Sequence, residues 1–381
     1  MKSKSIYFVA GEVSADNHGA ALMRSLRELD GELKFIGRGG PQMRQIAGGQ
    51  FENWIADAAV LGLWEVLRKY GYFREQFHET LHEIRESKPD AVVLIDYPGF
   101  NLRLARALRR HVPRQKIIYY ISPQVWAWNR GRIKRMAESI NLVLCIFPFE
   151  VDLYSQAGLR ALFVGHPMIE RLRVGEVQAR RDGNLIGLFP GSRSREVRKI
   201  FPVMLETARD LRKHNSNLRF EVAAASEELA QEMKPVVAGP NHSRDREAIQ
   251  ITVGQTTEIM QRAWAGIVAS GSATLEAAYF RLPFVLIYKV AWPTYLAARL
   301  VVNVKYLGMP NLLADKEVVP EFIQHRAKPN AIVKAVQPLI ENANARKQMI
   351  AQFDAIIPRL GDIGASQTAA RAIIEEIGRS I

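Results

Sequence analysis

Two segments of the sequence put glycine and hydroxyl residues where an apolar run passes into a helical pattern. They are Phe189-Pro190-Gly191-Ser192-Arg193 and Ala269-Ser270-Gly271-Ser272-Ala273-Thr274-Leu275-Glu276. At such a turn the first N–H groups of the helix lack partners, and its dipole favours an anion. Gly191 and Gly271 let the main chain approach a ligand closely, and the hydroxyls of Ser192, Ser270, Ser272 and Thr274 can bond a phosphate. Arg193 can pair bidentately with phosphate oxygens, and Glu276 can accept from ribose hydroxyls. Each segment could also be a plain capped turn. Two of them in one half of the chain predict a diphosphate held between them, and therefore a nucleotide.

The first half carries a different set. Ala10-Gly11-Glu12-Val13-Ser14-Ala15-Asp16 closes one apolar run and is followed by His18. Asp96 closes another, ahead of Tyr97-Pro98-Gly99-Phe100-Asn101. A carboxylate at the end of a strand can act as a base. The competing uses are an N-cap for Asp16 and a turn initiator for Asp96. Ser122-Pro123-Gln124-Val125-Trp126-Ala127-Trp128 follows a third run, and its tryptophans offer flat faces to sugar rings or to a packed seam.

Two further matches mislead. His78-Glu79-Thr80-Leu81-His82 spells a zinc-binding pattern. However, Phe73, Phe77, Leu81 and Ile84 form the stripe of an ordinary amphipathic helix, so solvent-exposed histidines and no metal are expected. Ile36-Gly37-Arg38-Gly39-Gly40-Pro41 resembles a dinucleotide loop but lacks its third glycine, and a tight turn after a strand explains it as well. The one cysteine, Cys145, lies in an apolar run and reads as a buried thiol in a reducing compartment.

These residues need elements to hold them. Strands are predicted at Ser5–Ala10, Leu33–Ile36, Ala91–Ile95, Lys116–Tyr120, Asn141–Cys145 and Ala161–Val164. Helical patterns separate them at Asn17–Leu29, Tyr72–Ser87, Leu102–His111 and Arg130–Glu138. Ile169–Asn184 is charged, lacks an apolar period and reads as a linker. Alternation then resumes, with strands at Leu185–Phe189, Leu218–Ala223, Ala248–Thr252, Ala265–Ala269 and Phe284–Ile287. The class is α/β, with two Rossmann-like, doubly wound domains in series, and ligands should bind beyond the carboxyl ends of the strands. The boundaries expected are 1–170, 171–345 and a helical tail, 346–381.

The chain has 381 residues, enough for about two domains. It carries 52 Lys+Arg against 39 Asp+Glu, a net charge of +13 that suits phosphorylated substrates, polyanions or an anionic membrane. Neither an export signal nor a membrane-spanning run is visible, which leads to an expectation of peripheral membrane contact at most.

In this order, the segments at 10–16, 96–101, 122–128, 147–150, 164–167, 189–193, 270–276 and 309–313, with Val318–Glu321 and Gln324, resemble the lipid-A-disaccharide synthases. These are inverting glycosyltransferases of the two-domain GT-B type, and the resemblance implies that the helical tail, 346–381, returns to the first domain. One departure is Ala15, where the family usually has glycine, which leaves the shape of the first loop open. The resemblance implies transfer from UDP-2,3-diacylglucosamine to the 6-hydroxyl of 2,3-diacylglucosamine 1-phosphate, giving a β-1,6-linked disaccharide 1-phosphate and UDP, in a cleft between the domains. It implies Asp96 as base, with Asp16 or His18 in reserve, and Arg193 with residues 270–274 as the diphosphate site, without metal or cofactor. It further implies that Glu276, Asn311 and Glu321 orient the donor, and that Glu12, Ser14, Asp16, Gln124 and Trp126 serve the acceptor.

Acylated substrates require a bilayer surface, so the resemblance places the protein peripherally on the inner face of the cytoplasmic membrane, and a homodimer is allowed for. Val60–Leu67 and Val290–Val302 are the candidate contacts, or else core helices. Three rivals remain: another GT-B enzyme such as a UDP-sugar epimerase or a peptidoglycan glycosyltransferase, a basic nucleic-acid-binding protein, and a lipid carrier. The 122–128 segment argues against the first. The basic clusters at 103–114 and 130–135 lack any recognition motif for nucleic acid, so no nucleic-acid partner is expected. A carrier has no use for two phosphate-type turns.

Overall fold

Runs such as Ile6–Ala10 and Ala91–Ile95 are buried along their whole length, as strands covered by helices on both faces must be. The computed structural model describes residues 3–49, 51–55, 70–128, 131–177, 179–238, 248–301 and 304–379. Within these, the chain divides into two compact units: 1–170 together with 360–381, and 171–359.

The first unit contains β1 (Ser5–Ala10), α1 (Val13–Leu29), β2 (Lys34–Gly39), α2 (Pro41–Ala47), β3 (Phe51–Asn53), α3 (Tyr70–Ser87) and β4 (Ala91–Ile95). It continues through α4 (Pro98–His111), β5 (Ile117–Tyr120), α5 (Val125–Trp128), α6 (Gly131–Ala137), β6 (Leu142–Cys145), α7 (Pro148–Ser155) and β7 (Ala161–Phe163). The strands form one parallel sheet in the order β3-β2-β1-β4-β5-β6-β7. The order reverses direction between β1 and β4, and in such sheets ligands bind outside the carboxyl ends of the strands at that switch.

α8 (Met168–Val174) spans the boundary. The second unit follows with β8 (Asp182–Phe189), α9 (Ser194–His214), β9 (Arg219–Ala224), α10 (Glu227–Val237), β10 (Ile249–Val253), α11 (Thr256–Arg262), β11 (Ala263–Ala269) and α12 (Ala273–Tyr279). It is completed by β12 (Phe284–Tyr288), α13 (Trp292–Val301), α14 (Met309–Ala314), β13 (Glu321–Ile323), α15 (Pro329–Glu341) and α16 (Ala343–Ile356). Its sheet is parallel in the order β10-β9-β8-β11-β12-β13, with the switch between β8 and β11.

Several expectations change. Ile169–Asn184 is not wholly a linker: α8 and the start of β8 occupy much of it. The Gly37–Pro41 segment is no turn, because β2 runs through Gly39. Arg38 lies there at 2% exposure, paired with Glu52, Glu79 and Glu83. Glu79 of the zinc-like pattern is thus an ion-pair partner, and His78 and His82 face solvent. The tail also divides, since residues 346–359 stay in the second unit and only 360–381 group with the first. There, α17 (Ala365–Gly378) packs on α1. Buried Lys116 donates to the carbonyls of Glu376 (2.8 Å), Ile377 (2.8 Å) and Arg379 (2.5 Å) at its carboxyl end, where a cation complements the helix dipole.

Candidate active site

In the first unit, the switch between β1 and β4 brings two of the singled-out segments together. Gly11 sits where an added Cβ would lie 2.4 Å from the Tyr97 ring, so glycine permits the close packing of the two strand ends. α1 starts directly after it, leaving Glu12 and Ser14 exposed at its amino end. Ala15 lies inside α1 and is absent from the positive-φ residues, so no glycine is needed there.

Asp96 and Tyr97 both adopt left-handed backbone, with φ of 46° and 49°. Such strain survives only where surroundings impose it. Here Tyr119 Oη donates to the Asp96 carbonyl at 2.5 Å and Asn101 Nδ2 at 2.8 Å. The Asp96 carboxyl is pushed up to about 6, chiefly by burial and then by the charge of Glu12. It is therefore largely ionised at neutral pH and close to the value that suits a general base.

Asp16 has another occupation. It is buried, and its carboxylate accepts from the N–H groups of Gly40 (3.0 Å), Gln42 (3.0 Å) and Met43 (2.9 Å), so it caps α2. His18 is half-buried on α1. Gln124 is exposed, whereas Trp126 is buried and donates through Nε1 to Glu150 Oε1 at 2.9 Å. Glu150 also accepts from Phe147 N at 3.2 Å, and burial pushes its carboxyl up to about 7. Sequence reasoning noticed Glu150 only as the end of a motif. Its one signal was a carboxylate three residues after Phe147 at a helix start.

In the second unit, the turns after β8 and β11 line one cavity of about 440 Å³ at the switch point. Gly191, Ser192, Arg193, Ser270, Gly271 and Ser272 all contribute to its wall. Gly191 has φ 100° and Gly271 φ 144°, backbone that side chains rarely adopt. Arg193 is 73% exposed, held by Glu196 at 3.3 Å. Glu276 also reaches the wall, and its Oε1 accepts from Arg171 at 2.8 Å. Thr274 is buried and donates to the Gly271 carbonyl at 2.8 Å, which holds the turn.

Asn311 and Glu321 also brace loops. Asn311 is fully buried, and its Oδ1 accepts from Val318 N (2.7 Å) and Val319 N (2.9 Å). Glu321 accepts from Leu307 N (3.0 Å), Gly308 N (2.8 Å) and Asn311 Nδ2 (2.9 Å). Neither is among the residues lining the cavity.

Two parallel α/β sheets, each with polar residues gathered at its switch point, define a protein of the GT-B type. Solved structures of that fold are similar over nearly the whole chain. One is a putative UDP-N-acetylglucosamine 2-epimerase from Listeria monocytogenes, with TM-score 0.65 and 10% identity, covering 100% of this chain and 98% of that one. Another is MurG from Acinetobacter baumannii, with TM-score 0.55 and 11% identity, covering 98% and 99%. At these identities the likeness shows the fold alone.

Sequence likeness goes further. The family model of lipid-A-disaccharide synthetase matches residues 6–372. The lipid-A-disaccharide synthase of Geobacter sulfurreducens is 37% identical, with 100% of this chain and 99% of that protein covered. That of Syntrophus aciditrophicus is 35% identical, with 100% of each covered. The chain belongs to the lipid-A-disaccharide synthase family and is a glycosyltransferase of lipid A disaccharide synthesis. The rival GT-B activities and the non-enzymatic readings are not favoured.

Proposed function

We propose that the chain transfers 2,3-diacylglucosamine from UDP to the 6-hydroxyl of 2,3-diacylglucosamine 1-phosphate with inversion, forming the β-1,6-linked disaccharide 1-phosphate. The observation that carries this reading is the cavity shared by the turns after β8 and β11. The N–H groups and hydroxyls of Ser192, Ser270 and Ser272 suit the two phosphates, and Arg193 takes up the charge that develops on the leaving diphosphate. Arg193 and the main chain would then do the work of a metal. Glu276 keeps a second carboxylate oxygen for ribose hydroxyls.

On the first unit, Asp96 accepts the proton of the acceptor 6-hydroxyl as its oxygen attacks the anomeric carbon and the bond to UDP breaks on the opposite face. Glu12, Ser14 and Gln124 are the exposed groups available to the acceptor sugar. Asp16, Trp126, Thr274, Asn311 and Glu321 contribute by fixing the loops that carry these groups.

Acylated substrates also place the protein at the inner face of the cytoplasmic membrane. Among the described residues no helix is long and apolar enough to cross a membrane. Trp292 and Leu296 on α13 are each 57% exposed and suit an interfacial contact. The other candidate, Val60–Leu67, lies in residues 56–69, outside the described ones.

The test is UDP release from purified protein with both lipids, each omitted in turn, with and without a chelator. Release that needs both lipids and survives chelation is expected, and release from the donor alone would overturn the reading. Arg193→Ala should weaken calorimetric UDP binding by about tenfold or more.

A further inference from the structure

One strongly charged feature is not used by the roles above. Arg103 and Arg106 lie three residues apart on α4, and Arg132 and Arg135 three apart on α6. That spacing puts each pair on one helix face. All four line a single cavity of about 200 Å³, and no acidic residue is among its lining residues. Among the described residues, none of the ion pairs involves Arg103, Arg106 or Arg135. Arg132 is held below the usual guanidinium range by burial first and then by the other three arginines.

Four like charges around one cavity repel one another, an arrangement that an anion relieves. Pro98 and Gly99 also line the cavity; they are the first turn of the 14-residue α4, whose dipole adds positive potential. An added Cβ at Gly99 would meet nothing within 4 Å, so there is free space at that helix start. Pro98 and Gly99 follow Asp96 by only two and three residues.

We propose that Arg103, Arg106, Arg132 and Arg135 form the subsite for the phosphomonoester of the acceptor and make the enzyme select a phosphorylated over an unphosphorylated acceptor. This rests on the transfer reaction proposed above. A phosphomonoester is the matching chemistry because it is compact, doubly charged and forked toward guanidinium groups. A cavity that includes the residues two and three after the proposed base suits a sugar whose phosphate and reacting 6-hydroxyl flank the same ring oxygen. An extended polyanion would call for an open stripe.

The experiment compares kcat/KM for 2,3-diacylglucosamine 1-phosphate and for the same lipid without phosphate, in the wild type and in Arg103→Gln/Arg135→Gln. Both substituted side chains are exposed, so the fold should persist. The wild type should prefer the phosphorylated acceptor, and the double variant should lose about tenfold or more of that preference with the KM for the UDP-sugar unchanged. Arg103→Lys should recover part of it, keeping the charge but not the fork.

A second arm titrates glucosamine 1-phosphate and inorganic phosphate into each protein by calorimetry, without turnover. If the wild type binds glucosamine 1-phosphate through these arginines but releases no UDP with both lipids, the transfer reading fails and the site stands. Unchanged acceptor preference and unchanged binding in the double variant would overturn the site. So would a variant that keeps its preference yet no longer sediments with phosphatidic acid vesicles, because the arginines would then serve a lipid headgroup.

Discussion

Asp96 is the base of the proposed transfer, and its environment sets how it should titrate. Burial, helped by Glu12, raises it to about 6. The base form is the active one, so kcat/KM for the acceptor should fall about tenfold per pH unit below 6 and level off above it. Glu12→Gln removes the second cause and should move that limb toward acid. Asp96→Asn keeps the shape but cannot take a proton, so UDP release should drop roughly 10²–10⁴-fold with the thermal transition unchanged. Activity near wild type would show that another group takes the proton. Glu150 makes the complementary case for stability. Its folded value of about 7 lies above its ordinary 4.5, so the folded state holds a proton that the unfolded chain has lost between those limits. Stability should therefore fall as pH rises across that window. Urea titrations at the two ends should show the fall reduced by roughly 2–3 kcal/mol in Glu150→Gln.

At the scale of elements, the turn after β8 depends on one backbone conformation. Gly191 has φ 100°, and an added Cβ would lie 3.7 Å from that of Ala269, so space is not the obstacle. The cost of Gly191→Ala is conformational, roughly 1–3 kcal/mol. The turn would relieve it by moving its N–H groups, and UDP affinity should fall along with stability. Calorimetric UDP binding equal to wild type would mean that the turn's N–H groups are not used. The residues just after β4 show the same principle without glycine. Two consecutive left-handed residues are held by Asn101 and Tyr119, which both donate to the Asp96 carbonyl.

At the scale of the whole chain, the first unit is closed by residues that arrive last. Lys116 at the start of β5 holds the carboxyl end of α17 across 260 residues of sequence. Lys116→Met would keep the apolar stem but leave helix carbonyls without a donor, at a cost of about 2 kcal/mol. For a unit of this size a drop in Tm of roughly 5 °C should follow in scanning calorimetry. An unchanged Tm would mean that water replaces the ammonium group.

Much of this was legible before any coordinates. Alternating apolar runs and amphipathic patterns imply two parallel sheets, because strands buried on both faces leave no polar side to the run. The glycine-hydroxyl turns followed from local chemistry alone. What periodicity could not show were the short pieces, β3 and β13 at three residues each, which are too brief to carry a period. Nor could it separate Asp16 from Asp96. Both are carboxylates just after an apolar run, but the partners that occupy Asp16 lie 24 to 27 residues away, in α2 and at Gly40 just before it. Arg38 was hidden among glycines for the same reason, since its carboxylates come from β3 and α3. The basic clusters at 103–114 and 130–135 read as scattered charge until α4 and α6 turned one face of each toward a common cavity. The sequence by itself determined which backbone could form and where a phosphate could meet a helix start, because those depend on neighbours in the chain. Only the tertiary structure decided which charged side chains are spent on holding the fold and which are left lining a cavity, because that depends on partners far along it.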